Sequence, residues 1–196
     1  MIIGINGKIG SGKDTTAEII NKLLITNGKE PFENKKFAGK LKTIASILTE
    51  IPVENFEDQE FKKLDMNPEW EMTYREFLQR LGTEAMRNGL HANVWVNALF
   101  VDYKCPECNS IPNQVCFGHR NPNWIITDMR FPNEMKAVVE KGGLTIRVTR
   151  PGTATGTHPS ETALDNAEFD YKIINDGTLE DLVEKVREVL TKENIL

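Results

Sequence analysis

The sequence lacks any long apolar run, and this absence limits the classes of protein to consider. No stretch approaches the roughly 20 apolar residues that a membrane-spanning helix needs. The first residues show neither the basic region nor the cleavage site of a secretion signal. Cysteine is scarce too, with three in 196 residues, so we expect no disulfide framework. These absences predict a globular protein of the cytoplasm that does not bind membranes.

Positive charge is also in deficit. The chain has 24 Lys and Arg against 29 Asp and Glu, a net charge of −5, and no basic tail. A protein whose main partner is nucleic acid needs a basic surface to neutralise backbone phosphates, so we expect no nucleic-acid partner. A ligand that bears phosphate would have to bind at a local cluster of Arg and Lys. The length allows one α/β core with one or two small insertions.

The most informative pattern lies in the first fourteen residues. Met1 to Asn6 is a short apolar run that predicts a strand, Gly7 to Lys13 is rich in glycine, and a helical pattern starts at Lys13. Strand, glycine-rich turn and helix in this order are typical of a loop that binds the phosphates of a nucleoside triphosphate. Glycines let successive N–H groups turn toward an anion, and the helix adds the positive end of its dipole.

The residues expected to bind the nucleoside triphosphate follow from this pattern. They are Gly10, Ser11, Gly12, Lys13, Asp14, Thr15 and Thr16. Lys13 is expected to reach the outer phosphates. Asp14 occupies the position where the general pattern has a Ser or Thr that contacts magnesium. The hydroxyl of Thr15 or Thr16, or Asp14 acting through a water molecule, are the alternatives for that contact.

Hydrophobic periodicity predicts alternating strands and helices along the rest of the chain. The predicted strands are 1–6, 33–38, 124–128, 144–149 and 171–175, and the predicted helices are 13–26, 39–48, 74–81 with 83–88, 91–103, 132–141 and 178–191. Residues 53–72 are expected to be mobile, with one helical turn at 57–64, and residues 150–168 to form a polar loop. Alternation of this kind predicts a parallel sheet covered on both faces. Ligands bind at the carboxyl ends of such strands, which would bring together 7–13, 38–42, 128–130 and Arg150.

All three cysteines and one of three histidines fall within fifteen residues. Cys105, Cys108, Cys116 and His119 form two C-x-x-C/H hooks. Thiolates and an imidazole at this spacing suit tetrahedral zinc, and four protein ligands leave no open position for catalysis. The hypothesis is therefore a structural zinc site, and the alternative is three free thiols in an exposed loop.

Six stretches of the chain match a known pattern. They are GSGKDTTA at 10–17, FAGKLK at 37–42, REFLQRLGTE at 75–84, VWVNAL at 94–99, DMRFPNE at 128–134 and HPSETALD at 158–165. In these stretches the chain resembles the bacteriophage deoxynucleoside monophosphate kinases, a branch of the P-loop nucleoside monophosphate (NMP) kinases related to adenylate kinase. Asp14 is usual in that branch, whereas the insert at 104–121 departs from it.

The resemblance implies a fold and a reaction. The fold is a three-layer, P-loop NMP-kinase-like α/β fold with a five-stranded parallel sheet, a helical NMP-binding insertion and a short lid. The domain is a single kinase domain, 1–196, with a mobile monophosphate-binding region at 53–90, a zinc-knuckle-like insert at 104–121 and a lid at 150–168. The implied reaction transfers the γ-phosphoryl group of ATP to a deoxynucleoside monophosphate, in the cytoplasm of a host if a phage encodes the protein.

The expected roles fit phosphoryl transfer, which needs positioning and charge neutralisation. The expected catalytic residues are Lys13, Asp128, Arg130 and Arg150, and the expected magnesium ligands are Asp14 and Asp128. The expected contacts to the monophosphate are Lys42, Arg75, Arg87 and Arg130, because guanidinium groups match phosphate oxygens. Alternatives remain: Asp128 as a turn cap, His158 as lid packing, and Trp95 as a core residue or a base-stacking platform.

Two rival functions remain open at this point. The nearest rival is another small-molecule P-loop kinase, of the phosphomevalonate or dephospho-coenzyme A kinase type, and the SGKD variant also occurs among phosphomevalonate kinases. The RFPNE and SETAL stretches favour the nucleotide kinase. A nucleic-acid-binding module that uses the cysteine insert is the rival of another class, and the acidic balance argues against it. The sequence leaves open the accepted base, the preference for ribose or deoxyribose, and whether the protein is a monomer or a homodimer.

Overall fold

A computed structural model describes residues 1–104, 121–153 and 158–196. The chain forms two compact units, one of Met1–Lys36 with Tyr103–Leu196 and the other of Phe37–Asp102. The predicted zinc ligands at 105–119 and part of the predicted lid, 154–157, lie outside the described residues. No helix of the described residues is long and apolar enough to cross a membrane.

The first unit contains a five-stranded, all-parallel sheet within the described residues, as predicted. Its strands are β1 (Ile2–Asn6), β2 (Glu33–Lys35), β3 (Trp124–Ile126), β4 (Leu144–Thr149) and β5 (Tyr171–Ile174). Their order in the sheet is β2-β3-β1-β4-β5. In register, Gly4 of β1 pairs with Ile126 of β3 on one side and with Thr145 of β4 on the other. The central strand therefore leads directly into the glycine-rich loop, between the ends of β3 and β4.

Helices cover both faces of this sheet. They are α1 (Lys13–Thr26), α5 (Pro132–Glu140) and α7 (Leu179–Lys192); a further helix of this unit, α6 (Pro159–Thr162), has four residues and none of them is buried. Side chains alternate along a strand, so Ile3 and Ile5 share the face that packs against α1 and α7 in one hydrophobic cluster. Gly4 points the opposite way, and a Cβ there would lie 3.3 Å from Val138 of α5. Three layers result, as the resemblance implied.

The second unit is helical in its described residues. It contains α2 (Gly39–Thr49), α3 (Tyr74–Gln79), a π-helix (Arg80–Leu90), α4 (Val94–Phe100) and two 3₁₀ helices, Val53–Phe56 and Phe61–Lys63. Ala45, Phe56, Met66 and Phe77 form its buried cluster. Thr73 caps α3, since its hydroxyl accepts from the N–H of Glu76 at 3.1 Å. Trp95 is buried and donates to the carbonyl of Gly82, which supports its interpretation as a core residue.

Several predicted boundaries were wrong for local reasons. Strand β2 ends at Lys35 rather than 38, because Ala38 already caps α2. Helix α4 begins only at Val94, because His91 is extended and the Val94 N–H closes a turn onto its carbonyl. The helix predicted at 83–88 is part of a π-helix that starts at Arg80.

Two segments contain more helical structure than predicted, since the sequence indicated one helical turn at 57–64 within segment 53–72 and a loop over 150–168. The charged segment 53–72 holds both 3₁₀ helices, because its scattered aromatic residues pack into the second unit's cluster: Phe56 is fully buried, and Phe61 stacks on Tyr74 with ring centres 4.5 Å apart. Its mobility stays a prediction. Helix α6 interrupts the loop predicted at 150–168, where His158 caps the helix by accepting from the N–H of Ser160. Leu48 and Val101, apolar residues within the helices predicted at 39–48 and 91–103, are exposed.

Candidate active site

The glycine-rich loop has the backbone shape of an anion cradle. Gly10 and Gly12 have φ angles of 81° and 94°, in the left-handed region that side chains with a Cβ rarely adopt. Gly7 allows a close approach instead, because a Cβ there would meet the hydroxyl of Ser11 and lie 2.8 Å from the Val148 carbonyl. The loop therefore requires glycine at all three positions.

Helix α1 begins from this loop with no side-chain cap among the described residues, since its N-cap is Gly12. Asn175, which follows β5, supports the loop: its Nδ2 donates to the Ser11 carbonyl at 3.0 Å. Its own N–H donates to the Thr149 carbonyl at 2.7 Å. An uncapped N-terminus carries N–H groups that need acceptors, together with the positive end of the helix dipole, so it is suited to bind phosphate.

The first turn of α1 carries a charged pair. Lys13 Nζ lies 2.6 Å from Asp14 Oδ2. Burial alone would raise the pKa of the Asp14 carboxyl, but hydrogen bonds from Lys13 and the Thr127 hydroxyl, with the nearby charge of Lys36, hold that pKa below its ordinary value. Asp14 is thus a carboxylate at neutral pH. The Thr16 hydroxyl, one of the alternatives for a metal contact, already donates to the Gly12 carbonyl at 2.9 Å.

Asp128 follows β3 between two residues that are tied to the phosphate loop's own elements. Before it, the Thr127 hydroxyl lies close enough to Asp14, at the start of α1, to lower the pKa of that carboxyl. After it, the Met129 carbonyl accepts from Asn6 Nδ2, at the end of β1, at 2.8 Å. The structure therefore places half-buried Asp128 at the rim that holds the loop, where the sequence predicted it.

Arg130 lies in the same turn and is fixed at both backbone and side chain. The carboxylate of Glu134, only 2% exposed, accepts from the N–H groups of Arg130 and Phe131 at 2.7 and 3.0 Å. These bonds form the start of α5. The Arg130 guanidinium donates through Nη1 to Glu161 Oε1 at 2.5 Å. The group is thus presented at the sheet edge in a defined orientation.

Two cations that the sequence did not single out complete this edge. Lys8 Nζ donates to the carbonyl of Glu161 and lies 2.6 Å from Asp165 Oδ1. Arg147 of β4 donates through Nε to Asn6 Oδ1 at 3.1 Å and through Nη1 to the Asp165 carbonyl at 2.9 Å. With Arg130 they line a small cleft.

The other predicted substrate contacts lie in the second unit. Lys42 of α2 is 9% exposed and pairs with Glu57 Oε1 at 2.5 Å. Arg75 donates to Gln59 Oε1 at 3.1 Å. Arg87, in the π-helix, donates to the Ala92 carbonyl at 3.3 Å. π-Helical turns occur often at functional sites, so the segment that carries Arg87 is of a type found at binding sites.

Arg150 is the exposed residue directly after β4, and its carbonyl accepts from Thr153. No group of three or more His, Cys, Asp or Glu in the described parts of the chain is arranged to hold a metal ion. A magnesium ion bound mainly by phosphates needs only one or two carboxylates, so this finding leaves Asp14 and Asp128 as candidates.

The residues missed from sequence are the side chains that hold the rim together: Asn6, Lys8, Arg147, Glu161, Asp165 and Asn175. Each lies in or just after an element whose carboxyl end the sequence already placed at the rim, or in the HPSETALD stretch. Their location at the rim could therefore have been predicted from the sequence. Their hydrogen-bond partners could not, because these lie up to 164 residues away along the chain.

Fold and site together define a class of protein. A central parallel strand runs into a glycine loop with left-handed glycines, and an uncapped helix follows, with an aspartate at the tip of the neighbouring strand. This arrangement is that of the P-loop kinases.

The chain belongs to the deoxynucleotide monophosphate kinase family, whose sequence model matches residues 32–186. A protein of Acanthamoeba polyphaga mimivirus, provisionally named a deoxynucleotide monophosphate kinase, is 29% identical over 95% of this chain and 94% of its own length. The deoxynucleotide monophosphate kinase of Enterobacteria phage T4 is 31% identical over 63% of this chain. The match spans about half the T4 protein, 48% of its length. The resemblance to phage-type kinases is thus confirmed, and the rival kinase types are not favoured.

Solved structures add little to this assignment. A dephospho-CoA kinase from Campylobacter jejuni covers 97% of this chain with 15% identity and a TM-score of 0.43. So distant a likeness carries no argument about substrate.

Proposed function

We propose that this kinase transfers the γ-phosphoryl group of ATP to a deoxynucleoside monophosphate at the rim formed by the glycine loop and the turn after β3. One observation carries the proposal. The strand that leads into the uncapped, glycine-led start of α1 is bonded to the turn that holds Asp128 and Arg130, because Asn6 Nδ2 donates to the Met129 carbonyl at 2.8 Å. A site for the donor phosphates thus adjoins candidate groups for metal and acceptor.

The loop fits the donor nucleotide. Gly10 and Gly12 open the backbone, and the first N–H groups of α1 have no side-chain acceptor among the described residues. Lys13 holds Asp14 in this structure, and we expect it to exchange that partner for the outer phosphates, where its charge stabilises the transferring group. Thr15 and Thr16 complete the first turn, and Asn175 keeps the loop in place.

Magnesium fits beside this turn. Asp14 is held as a carboxylate by Lys13 and Thr127, and Asp128 is fixed between Thr127 and Met129. We assign both as magnesium ligands, directly or through water, since this ion prefers oxygen. When bound, the ion would neutralise charge on the donor phosphates. Replacing Asp128 by Asn should raise the magnesium concentration needed for half-maximal rate.

Arg130 is the best-supported contact to the acceptor phosphate in the first unit, because its guanidinium is fixed by Glu161 and remains 37% exposed. Lys42, Arg75 and Arg87 are proposed as further contacts on the basis of the motifs that hold them. Arg150 is proposed to stabilise the transferring group from the start of a lid over 150–168, whose closure would exclude water.

Coupled ADP release tests the function. The assay uses ATP, magnesium and, in turn, dAMP, dGMP, dCMP and dTMP, with the matching ribonucleotides, phosphomevalonate and dephospho-coenzyme A as other acceptors. We expect turnover with one or more deoxynucleotides. Turnover only with a non-nucleotide acceptor would replace the proposal with another small-molecule kinase.

We also propose the structural zinc site at Cys105, Cys108, Cys116 and His119. Only the spacing of these ligands supports it, since they lie outside the described residues. Elemental analysis of protein purified without added zinc should find about one equivalent, as four protein ligands require. Metal well below one equivalent would reject the site, and Cys116→Ser should lower the content.

The cellular setting is proposed from the relatives. These relatives are encoded by a virus and by phages, which supports a location in the cytoplasm of an infected cell. Net charge supports the absence of a nucleic-acid partner, which a salt-dependent shift of DNA mobility would contradict. Light scattering would decide between monomer and homodimer.

A further inference from the structure

Glu161 is placed differently from an ordinary surface acid. Its side chain is only 15% exposed, whereas that of its partner Arg130 is 37% exposed. The Glu161 carbonyl also accepts from Lys8 of the glycine loop. The residue is therefore held by its backbone to the loop and by its carboxylate to the guanidinium.

The geometry of this pair separates two roles. A carboxylate that occupied the place of a substrate phosphate would lie on the open side of the guanidinium. Glu161 is instead the more buried partner, and it engages Nη1. Within the described residues no other hydrogen bond involves the Arg130 guanidinium. Since guanidinium carries five N–H donors, Nε and Nη2 remain for a second anion.

The backbone of Arg130 is fixed independently. Glu134 accepts from its N–H, and Asn6 holds the preceding Met129 carbonyl. These bonds fix the backbone position of Arg130 but not the direction of its guanidinium group. A long, flexible side chain keeps several orientations unless its end has a partner. Among the residues that the structure describes, the Glu161 contact is the one that selects an orientation of the guanidinium.

We propose that Glu161 is a positioning residue that presents Arg130 to the phosphate monoester of the acceptor nucleotide. This inference rests on the proposed function, in which Arg130 binds that phosphate. Glu161 itself does not touch substrate. Its carboxylate orders the Arg130 side chain before the substrate binds, so less side-chain entropy is lost on binding. Its bond to Lys8 keeps Arg130 at a fixed position relative to the loop that holds ATP.

The test compares Glu161→Gln with wild type by steady-state kinetics and by calorimetric titration of the preferred deoxynucleotide without ATP. Loss of a charge-assisted hydrogen bond should raise the acceptor KM and Kd by roughly tenfold and leave the ATP KM within about twofold. Glu161→Asp keeps the charge but is shorter by one methylene, so it should show a smaller increase. If Glu161→Gln fails to fold in a thermal melt, Glu161→Asp carries the test.

A double-mutant cycle isolates the mechanism. In an Arg130→Ala background, Glu161→Gln should cause no further loss of acceptor affinity. Losses that simply multiply would overturn the inference. So would a fall in the acceptor KM of Glu161→Gln, because Glu161 would then compete with the phosphate.

Asp170→Asn is the control for a loosened contact away from the rim. Asp170 directly precedes β5, at the amino end of that strand, and its carboxylate accepts from the N–H and the hydroxyl of Thr145 at 2.8 and 2.7 Å. We expect a lower melting temperature and an acceptor KM within about twofold of wild type. An increase equal to that of Glu161→Gln would contradict a specific role. A wild type inactive with every deoxynucleotide would instead reject the proposed function, and the inference with it.

Discussion

The glycine loop and the segment 158–165 meet at one rim but are held in place by different kinds of contact. Within the loop most bonds join neighbours, Ser11 to the Lys8 carbonyl and Lys13 to Asp14, and Asn175 adds one bond from far along the chain. The segment is held from far along the chain, since Lys8 reaches Glu161 and Asp165 across 153 and 157 residues.

This difference explains how the two parts of the site depend on the fold. The conformation of the loop is set mainly by its own glycines and by the helix that follows it. The segment acquires its place only when β1, β3 and β4 have aligned their ends. Variants in the loop should therefore impair donor binding directly, whereas variants in the long-range contacts should act through the position of other groups.

The largest expected effect is on Lys13, whose role is local and electrostatic. Lys13→Ala should lower kcat/KM by roughly 100- to 1,000-fold, the usual effect of removing one donor that stabilises developing charge. Lys22→Ala, an exposed lysine later in α1, should retain full rate. Equal activity of the two variants in the ADP-release assay would remove Lys13 from the mechanism.

A second effect concerns Gly12, where conformation and space are both constrained. A Cβ at this position would require a φ of 94° and would lie 2.5 Å from Asn175 Nδ2. Gly12→Ala should raise the ATP KM and lower the unfolding free energy by more than the roughly 1–2 kcal/mol of a left-handed residue.

Gly28→Ala provides the matched comparison. Gly28 also has a positive φ, 69°, but nothing lies within 4 Å of its added Cβ. This variant should show only the backbone cost and an unchanged ATP KM. If the two variants lost equal stability and both kept wild-type ATP binding, the contact between Asn175 and the loop would be irrelevant.

A smaller effect is expected at Asn6, which belongs to the long-range network. Asn6→Ala leaves the Met129 carbonyl and Arg147 Nε without this partner and should cost about 1–3 kcal/mol per unsatisfied group in urea unfolding. Because the turn that holds Asp128 is then less fixed, the magnesium requirement should rise.

Asn21→Ala controls for the loss of an equally bonded amide. Asn21 exchanges two hydrogen bonds with the backbone of Phe32, at 2.9 and 2.8 Å, on α1 rather than at the rim. It should destabilise the protein without changing the magnesium dependence. A change of the same size in both variants would show that Asn6 acts through stability alone.

The smallest effect is a pH dependence. The pKa of Asp14 is lower in the folded protein than its ordinary value of 3.8, so the unfolded chain binds its proton first. The stabilisation is thus present above the ordinary value and is lost as the pH falls through the folded-state pKa. Asp14→Asn should flatten the acid limb of stability against pH in urea titrations. Parallel curves for variant and wild type would show that the Lys13 and Thr127 contacts do not stabilise the fold.

The sequence allowed much of this structure to be predicted, because periodicity and glycine placement act locally. The strand before the loop, helix α1 over 13–26 and the apolar strand at Trp124 were confirmed. Failures occurred where packing decides: Leu48 fits a helical stripe but is exposed, and Phe56 sits in a charged segment but is fully buried. The network of Lys8 and Arg147 depends on which strands are neighbours, which no single stretch encodes.

The central claim, transfer to a deoxynucleotide, is tested most directly by following the phosphoryl group itself. Wild type and Lys13→Ala would be incubated with magnesium, ATP labelled at the γ-phosphorus and the preferred deoxynucleoside monophosphate, and the products separated. The account predicts labelled deoxynucleoside diphosphate with wild type and almost none with the variant. Label released by wild type only as inorganic phosphate, with every acceptor, would contradict it.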